Sequence, residues 1–206
     1  MEEWEFKSLI ERFYSSLKEV NKRDYLMLFS DLQIQIEGWL RGELMNFLRN
    51  NNIDITVKNR ESRINDETRK KADLKLEFTN EIYWIELKHL LVGCQLNNTY
   101  PLGFYFNKNS YIYNDIKKLQ EVDNSDKRQH RYSLAFISTN YTCDKCRNTK
   151  FKKIITKEEL KVQYKDIIKN KTDIKQKASL VSWDYNNIQH LGYLLLRVNN
   201  KEGVSR

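Results

Sequence analysis

The sequence predicts an α/β domain with helices around a mixed central β-sheet, and three observations support this prediction. Segments with helical periodicity and segments with strand alternation follow one another along the chain. A length of 206 residues, with 40% hydrophobic and 12% aromatic residues, suits one substantial core. Neither an internal repeat nor a linker-like stretch divides the chain, so we expect a single domain over residues 1–206.

The first half of the chain predicts two helices and three strands. Apolar residues at helical spacing between Phe6 and Val20 predict an amphipathic helix within an N-terminal extension, residues 1–29. A second helix is expected from Ser30 or Asp31, either of which can cap it, to about Arg49. Alternating apolar residues then predict strands over 53–57, 72–78 and 82–91, and the charged segment 60–71 reads as a loop.

The second half predicts a long loop followed by helices and strands. Two of the six glycines and the only proline favour a loop over 92–112, before a short helix over 113–122 and a buried strand over 132–138. A capping box formed by Thr156 and Glu159 predicts a helix to about Asn170, and a last strand is expected over 191–198. The domain therefore divides into a core (30–140), a C-terminal helix and strand (141–198) and a mobile tail (199–206).

Composition narrows the class of partner. Lys and Arg outnumber Asp and Glu by 36 to 28, which favours a polyanionic partner. The chain has no apolar run of membrane-spanning length and no basic, apolar leader, so we expect a cytoplasmic protein without a membrane partner. Three cysteines agree with a reducing compartment; Cys143 and Cys146 have the spacing of half a zinc site, but zinc needs four ligands and is not expected.

The segment from Asp73 to Lys88 contains the residues best suited to chemistry. Glu86 and Lys88 are two residues apart on a predicted strand and therefore share a face. Two registers of the predicted hairpin are open, one with Asp73 opposite Lys88 and the other with Asp73 opposite Glu86. Either register brings the three side chains together on one face. An exposed, solvated face of alternating charges is the alternative, but the apolar neighbours of Glu86 favour a buried setting.

Two carboxylates beside a lysine suit the hydrolysis of a phosphodiester. Hard oxygen ligands bind Mg²⁺, for which Mn²⁺ can substitute, and the cation adds phosphate oxygens to its shell. A lysine next to it can position the attacking water or neutralise charge that develops on the phosphate.

This arrangement resembles the PD-(D/E)xK nucleases, which share a restriction-endonuclease-like core. Their pattern is a helix with a Glu, a strand hairpin with an Asp, and (D/E)xK on the next strand. The chain has a predicted helix over 31–49, then Asp73 in KADLKLEF and Glu86-Leu87-Lys88 in YWIELKHL. The segments NDIKKL and YSLAFIS resemble the helix and strand that often follow, so the resemblance covers residues 30–140. Ala72 stands where the family often has a proline.

The resemblance implies a Mg²⁺-dependent DNA endonuclease with a defined set of site residues. Asp73 and Glu86 would hold the metal, the Leu87 carbonyl would complete its shell, and Lys88 would act on the water or the developing charge. The family also takes an acidic residue from the helix before the first strand. Glu37 and Glu43 both flank the apolar arc of that helix, and we favour Glu37.

A basic segment before Asp73 is the expected phosphate contact. Its members are Arg60, Arg63, Arg69, Lys70 and Lys71. The expected partner is DNA, and a homodimer is one expectation because cutting of both strands often uses two copies. Two alternatives to the nuclease stay open: an inactive nucleic-acid-binding module of the same fold, and an interaction protein in which the motif is a coincidence.

Overall fold

The computed structural model describes residues 3–19, 21–22, 24–26, 36–51, 56–57, 62–64, 71–78, 80–92, 101–122, 128–139, 156–170, 172–186 and 191–199. In this part of the chain, helices cover both faces of a mixed β-sheet. The predicted mixed α/β class is therefore confirmed. No helix of the described part is long and apolar enough to cross a membrane.

The described elements alternate along the chain. The helices are α1 (Glu3–Ser16), α2 (Glu37–Asn50), a 3-10 helix (Leu102–Phe106), α3 (Tyr111–Leu119), α4 (Lys157–Asn170) and α5 (Thr172–Lys177). The strands are β1 (Thr56–Val57), β2 (Ser62–Arg63), β3 (Lys71–Ala72), β4 (Leu74–Glu77), β5 (Glu81–Leu91), β6 (Arg128–Ser138), β7 (Ala178–Asn186) and β8 (Leu191–Val198).

Six of these strands form one sheet in the order β1-β4-β5-β6-β8-β7. Strands β5 and β6 are parallel, as expected for two strands joined through a helix, and the other neighbours are antiparallel. Strands β2 and β3 pair separately with each other. The long strands β5 and β6 therefore lie in the middle of the sheet.

The two faces of the sheet pack against different helices. On β5, Tyr83, Ile85 and Leu87 join the cluster formed with α1 and α2. Ile82 and Trp84 point the other way, into the cluster formed with α3, α4 and α5. This alternation follows the pleat of the strand. A charged side chain in the middle of β5 is therefore buried under a helix.

Helix α2 begins later than predicted. Its first residue is Glu37, whereas the predicted start was Ser30 or Asp31; residues 31–35 lie outside the described part, but Ile36 has a non-helical backbone. The Ile36 N–H is 3.4 Å from Nδ1 of His89 on β5. A contact with the sheet, which sequence periodicity does not report, therefore sets the start of this helix.

Two predicted loops contain regular structure. Within 60–71, Ser62 and Arg63 pair with Ala72 and Lys71, in strands too short to show a periodic pattern. Within 92–112, the 3-10 helix packs Tyr105 and Phe106 into the core, and Ile112 of α3 joins them. Burial of these side chains explains the regular structure of residues 101–112, although their glycine and proline favour a loop.

The C-terminal region contains two elements that were not predicted, α5 and β7. An irregularity in pairing between Leu180 and Ser182 interrupts the alternation of β7, so the sequence pattern did not predict this strand.

The capping box is confirmed: the Glu159 N–H is 3.2 Å from Oγ1 of Thr156, and the Thr156 N–H is 3.0 Å from Oε2 of Glu159. Asn199, at the start of the tail that is expected to be mobile, donates its N–H to the Lys177 carbonyl at 2.8 Å. Residues 200–206 lie outside the described part.

Candidate active site

The hairpin of β4 and β5 adopts one of the two predicted registers. Leu74 lies opposite Ile85, and Glu77 lies opposite Ile82. Continued by one residue, this register places Asp73 opposite Glu86. Asp73 itself lies in a bend between β3 and β4, directly before the first paired residue of β4, Leu74.

The carboxylate of Asp73 replaces a missing strand partner. Strand β4 begins only at Leu74, so the Leu87 N–H has no β4 backbone opposite it. It donates instead to Oδ2 of Asp73 at 2.9 Å. In an extended strand the N–H and C=O of a residue point to the same side, so the Leu87 carbonyl also faces this end of β4. Oδ1 of Asp73 lies 3.6 Å from Nη1 of Arg41 on α2.

Glu86 is fully buried, with 0% exposure, beneath α3. Nζ of Lys118 lies 2.5 Å from Oε2 of Glu86, within hydrogen-bond distance, whereas Oε1 has no hydrogen-bond partner among the described residues. Burial, and then the charges of Asp73 and Asp115, raise the pKa of Glu86 to about 9. The environment of Glu86 therefore disfavours its ionised form.

Lys88 lies two residues further along the same face and reaches the start of α2. Its Nζ is 3.2 Å from Oε1 of Glu37. Burial alone would lower the pKa of Lys88, but nearby carboxylates, those of Asp115 and Glu37 first, raise it above its ordinary value. Glu43, the other acidic residue of α2 considered from the sequence, pairs instead with Lys22 at 3.4 Å. Of the two candidates, the structure therefore brings Glu37 to the site.

A buried histidine holds Glu37 in place. Burial lowers the pKa of His89 to about 4, so its ring is neutral at neutral pH. Because Nδ1 accepts the N–H of Ile36, Nε2 carries the proton and donates to Oγ of Ser138 at 2.8 Å. His89 thus joins β6 to the residue just before Glu37.

Three further charged residues of the site were missed from the sequence. Arg41 lies four residues after Glu37 on α2, and Asp115 and Lys118 lie on the face of α3 that is turned to β5. Burial raises the pKa of Asp115 to about 7, against the opposing charges of Lys88 and Lys118. Spacings of three and four residues place such pairs on one helix face, but the sequence does not say what that face meets.

Part of the predicted phosphate-binding segment can be placed. Lys71 is exposed on β3, two residues before Asp73. Arg60, Arg69 and Lys70, and the side chain of Arg63, lie outside the described part, as do Cys143 and Cys146.

The donor set suits a hard divalent cation, although it is not assembled around one. Among the described residues, no group of three or more His, Cys, Asp or Glu side chains is gathered closely enough to hold a metal ion. Glu37, Asp73 and Glu86 are each next to a cationic side chain instead. Oε1 of Glu86 and Oδ2 of Asp115 are nevertheless buried without a hydrogen-bond partner in the described part. Such oxygens fit a Mg²⁺ ligand set, provided that the side chains rearrange when the cation binds.

Comparisons of the chain with protein-family models, with curated proteins and with solved structures found no match. The functional interpretation rests on the geometry of the site.

Proposed function

We propose that this protein is a Mg²⁺-dependent nuclease that hydrolyses phosphodiester bonds in DNA, an endonuclease of restriction-like type built on a restriction-endonuclease-like core. One observation carries the proposal. Side chains from three separate segments, Glu37 of α2, Asp73 before β4, and Glu86 with Lys88 of β5, converge at the point where β5 extends past β4.

The order of the elements supports the same proposal. Helix α2 with Glu37 is followed by the β4–β5 hairpin, then by α3 and by β6, parallel to β5. This is the order of the resemblance noted in the sequence: a helix with an acid, a hairpin, ExK, a helix and a strand.

The proposed ligands are Asp73, Glu86 and the Leu87 carbonyl, which faces the same end of β4. When bound, Mg²⁺ would polarise the scissile phosphate, orient it and acidify the attacking water. The Leu87 N–H fixes the orientation of the Asp73 carboxylate through Oδ2. Ionisation of Glu86, which burial opposes, is favoured by a cation beside it.

Lys88 supplies the positive charge in the reaction. Its surroundings keep it protonated, so it can donate hydrogen bonds but cannot act as a base near neutral pH. Glu37 holds the ammonium at 3.2 Å, and His89 fixes the helix start that carries Glu37. An ammonium held in this way can orient the attacking water or stabilise charge that grows on the phosphate.

The test is a cleavage assay with purified protein on supercoiled plasmid, linear duplex and single-stranded DNA, with Mg²⁺, Mn²⁺ or EDTA. We expect cleavage that EDTA abolishes. Asp73→Asn should lose both metal binding and cleavage, whereas Lys88→Met should lose cleavage by about 10²–10³-fold and keep metal binding. Asp166→Asn, at an exposed position of α4, is the matched control and should behave as wild type.

Other outcomes separate the alternatives. Salt-sensitive DNA binding without cleavage in either metal would favour an inactive nucleic-acid-binding module. The absence of both binding and cleavage would favour an interaction protein. Cleavage that Lys88→Met leaves at the wild-type rate would overturn the assigned role of Lys88.

A further inference from the structure

Asp115 is an acidic residue on an apolar helix face. Helix α3 packs Ile112, Ile116 and Leu119 into the core that it shares with β5 and β6. Asp115 belongs to the buried side of the same helix, with 5% exposure. An aspartate at such a position requires a partner, because burial of a charge without one is strongly unfavourable.

The described residues do not supply that partner in hydrogen-bond geometry. Oδ2 of Asp115 is buried without a hydrogen bond in the described part. Lys88 and Lys118 influence it through their charge, but no hydrogen bond or ion pair joins either of them to Asp115. Leaving such a group unsatisfied is unfavourable, and more so when it is charged.

Two more unsatisfied polar groups belong to the same face of the sheet. Glu86 lies opposite Ser133 in the parallel pairing of β5 with β6, and paired residues point to the same face. Both side chains have 0% exposure. Oε1 of Glu86 and Oγ of Ser133 have no hydrogen-bond partner among the described residues. Unsatisfied oxygens on β5, β6 and α3 together point to a bound group that can interact with all of them.

We propose that Asp115 is a further ligand of the divalent cation, which it binds together with Glu86, with the Ser133 hydroxyl bonded to a water in the shell of that cation. This proposal rests on the proposed function and extends its metal site to α3. Mg²⁺ prefers oxygen ligands and keeps several of its waters, so carboxylates and a nearby hydroxyl suit it. Lys118, three residues after Asp115, lies 2.5 Å from Glu86.

The test measures metal binding directly rather than cleavage. Binding of Mn²⁺ to the full chain is followed by electron paramagnetic resonance, and Mg²⁺ binding by calorimetry and by the increase in melting temperature. We expect Asp115→Asn to weaken both affinities by about 10–100-fold, the loss seen when a group that supports a metal site is removed. Asp166→Asn is the control and should keep the wild-type affinity. Asp115→Ala is a second variant in case Asp115→Asn disturbs folding.

The outcomes distinguish this proposal from the proposed function. If wild type binds Mn²⁺, Asp73→Asn abolishes binding and both Asp115 variants bind as wild type, only the role of Asp115 is overturned. Reduced cleavage with unchanged metal affinity in Asp115→Asn would also overturn it, because Asp115 would then act through Lys88. Absence of saturable Mn²⁺ binding in wild type would overturn the metal site and this proposal together.

Discussion

Two glutamates on strand β5, Glu81 at its first residue and Glu86 in its middle, lie in opposite environments. Glu81 accepts a hydrogen bond from the Tyr83 hydroxyl at 3.1 Å and contacts His130 at 3.3 Å. Burial alone would raise the pKa of Glu81, but its hydrogen bonds, including those with His130 and Tyr83, lower that pKa. Glu86 is more deeply buried, its Oε1 has no hydrogen-bond partner in the described part, and burial raises its pKa to about 9.

The difference separates a carboxylate that stabilises the fold from one that is available to bind a cation. The partners of Glu81 favour its ionised form, so this residue stabilises the fold as it stands. Glu86 has one carboxylate oxygen beside the Lys118 ammonium and the other, Oε1, without a hydrogen-bond partner among the described residues, so a cation would lower the free energy of its ionised form. Glu81 and Glu86 therefore form a matched pair for testing the site, with the same residue type on the same strand.

The largest expected difference between the pair is in DNA cleavage. Glu86→Gln removes a proposed metal ligand, so we expect cleavage to fall by at least about 10²–10³-fold, with weaker Mg²⁺ binding. Glu81→Gln should keep cleavage within a few-fold of wild type. Rates measured over a series of Mg²⁺ concentrations check this, and equal losses in the two variants would remove the distinction between Glu81 and Glu86.

The second expected difference is in thermal stability without metal, where the two substitutions should change the melting temperature in opposite directions. Glu86→Gln replaces a poorly satisfied buried carboxyl by a neutral group, so we expect the melting temperature in EDTA at about pH 8 to rise. Glu81→Gln loses hydrogen bonds to a charged group, so its melting temperature should fall. For a chain of this size each kcal/mol shifts the melting temperature by about 2–4 °C. Calorimetry of the three proteins decides, and a decrease in Glu86→Gln would show that the pair with Lys118 stabilises the fold.

The sequence predicted the central part of the site better than its surroundings. Alternation along two strands was enough to place Asp73, Glu86 and Lys88 on one face, because a period of two determines direction without knowledge of the neighbours. The register remained open between two choices, since the position of the two-residue turn, rather than the pattern, decides it. Asp115 and Lys118 were missed because the packing of α3 on β5 is a tertiary contact.

The choice between Glu37 and Glu43 shows the same limit. Both flank the apolar arc of α2, so helical periodicity treats them alike. Where the helix begins and how it crosses the sheet decide which of them meets Lys88, and the contact from His89 to Ile36 sets that beginning. Strand β7 was missed for a local reason, since its irregular pairing disrupts the alternation on which the prediction depends.

The third expected difference is in the dependence of stability on pH. The pKa of Glu86 is about 9 in the folded protein, against an ordinary value of 4.5. Between these values the unfolded chain has released a proton that the folded protein keeps, so metal-free stability should fall as the pH rises, by up to ~1.4 kcal/mol per pH unit. Glu81 has the opposite effect on the pH dependence of stability. Its lowered pKa contributes stability above its ordinary pKa, and this stability is lost as the pH falls.

Urea unfolding in EDTA between about pH 5 and pH 8 checks this difference. The free energy of unfolding of wild type, relative to that of Glu86→Gln, should decrease toward high pH. The same quantity measured relative to Glu81→Gln should not decrease. Parallel curves for wild type and Glu86→Gln would show that the Glu86 carboxyl is ionised throughout this range.

The smallest expected difference concerns single basic residues near the two ends of β5. Lys71 is exposed on β3, two residues before Asp73, whereas Arg128 is exposed at the start of β6 and lies 3.8 Å from Glu81. If DNA lies over the Asp73 end, Lys71→Ala removes one phosphate contact and reduces the slope of log K against log salt by ~0.9. Arg128→Ala removes a charge of the same sign far from the proposed contact, so its slope should match wild type. Binding is measured in Ca²⁺ over a range of salt concentrations, so that cleavage does not interfere. Equal reductions in both variants would mean that the protein attracts DNA through its overall positive charge, and an unchanged slope in Lys71→Ala would exclude this residue as a phosphate contact.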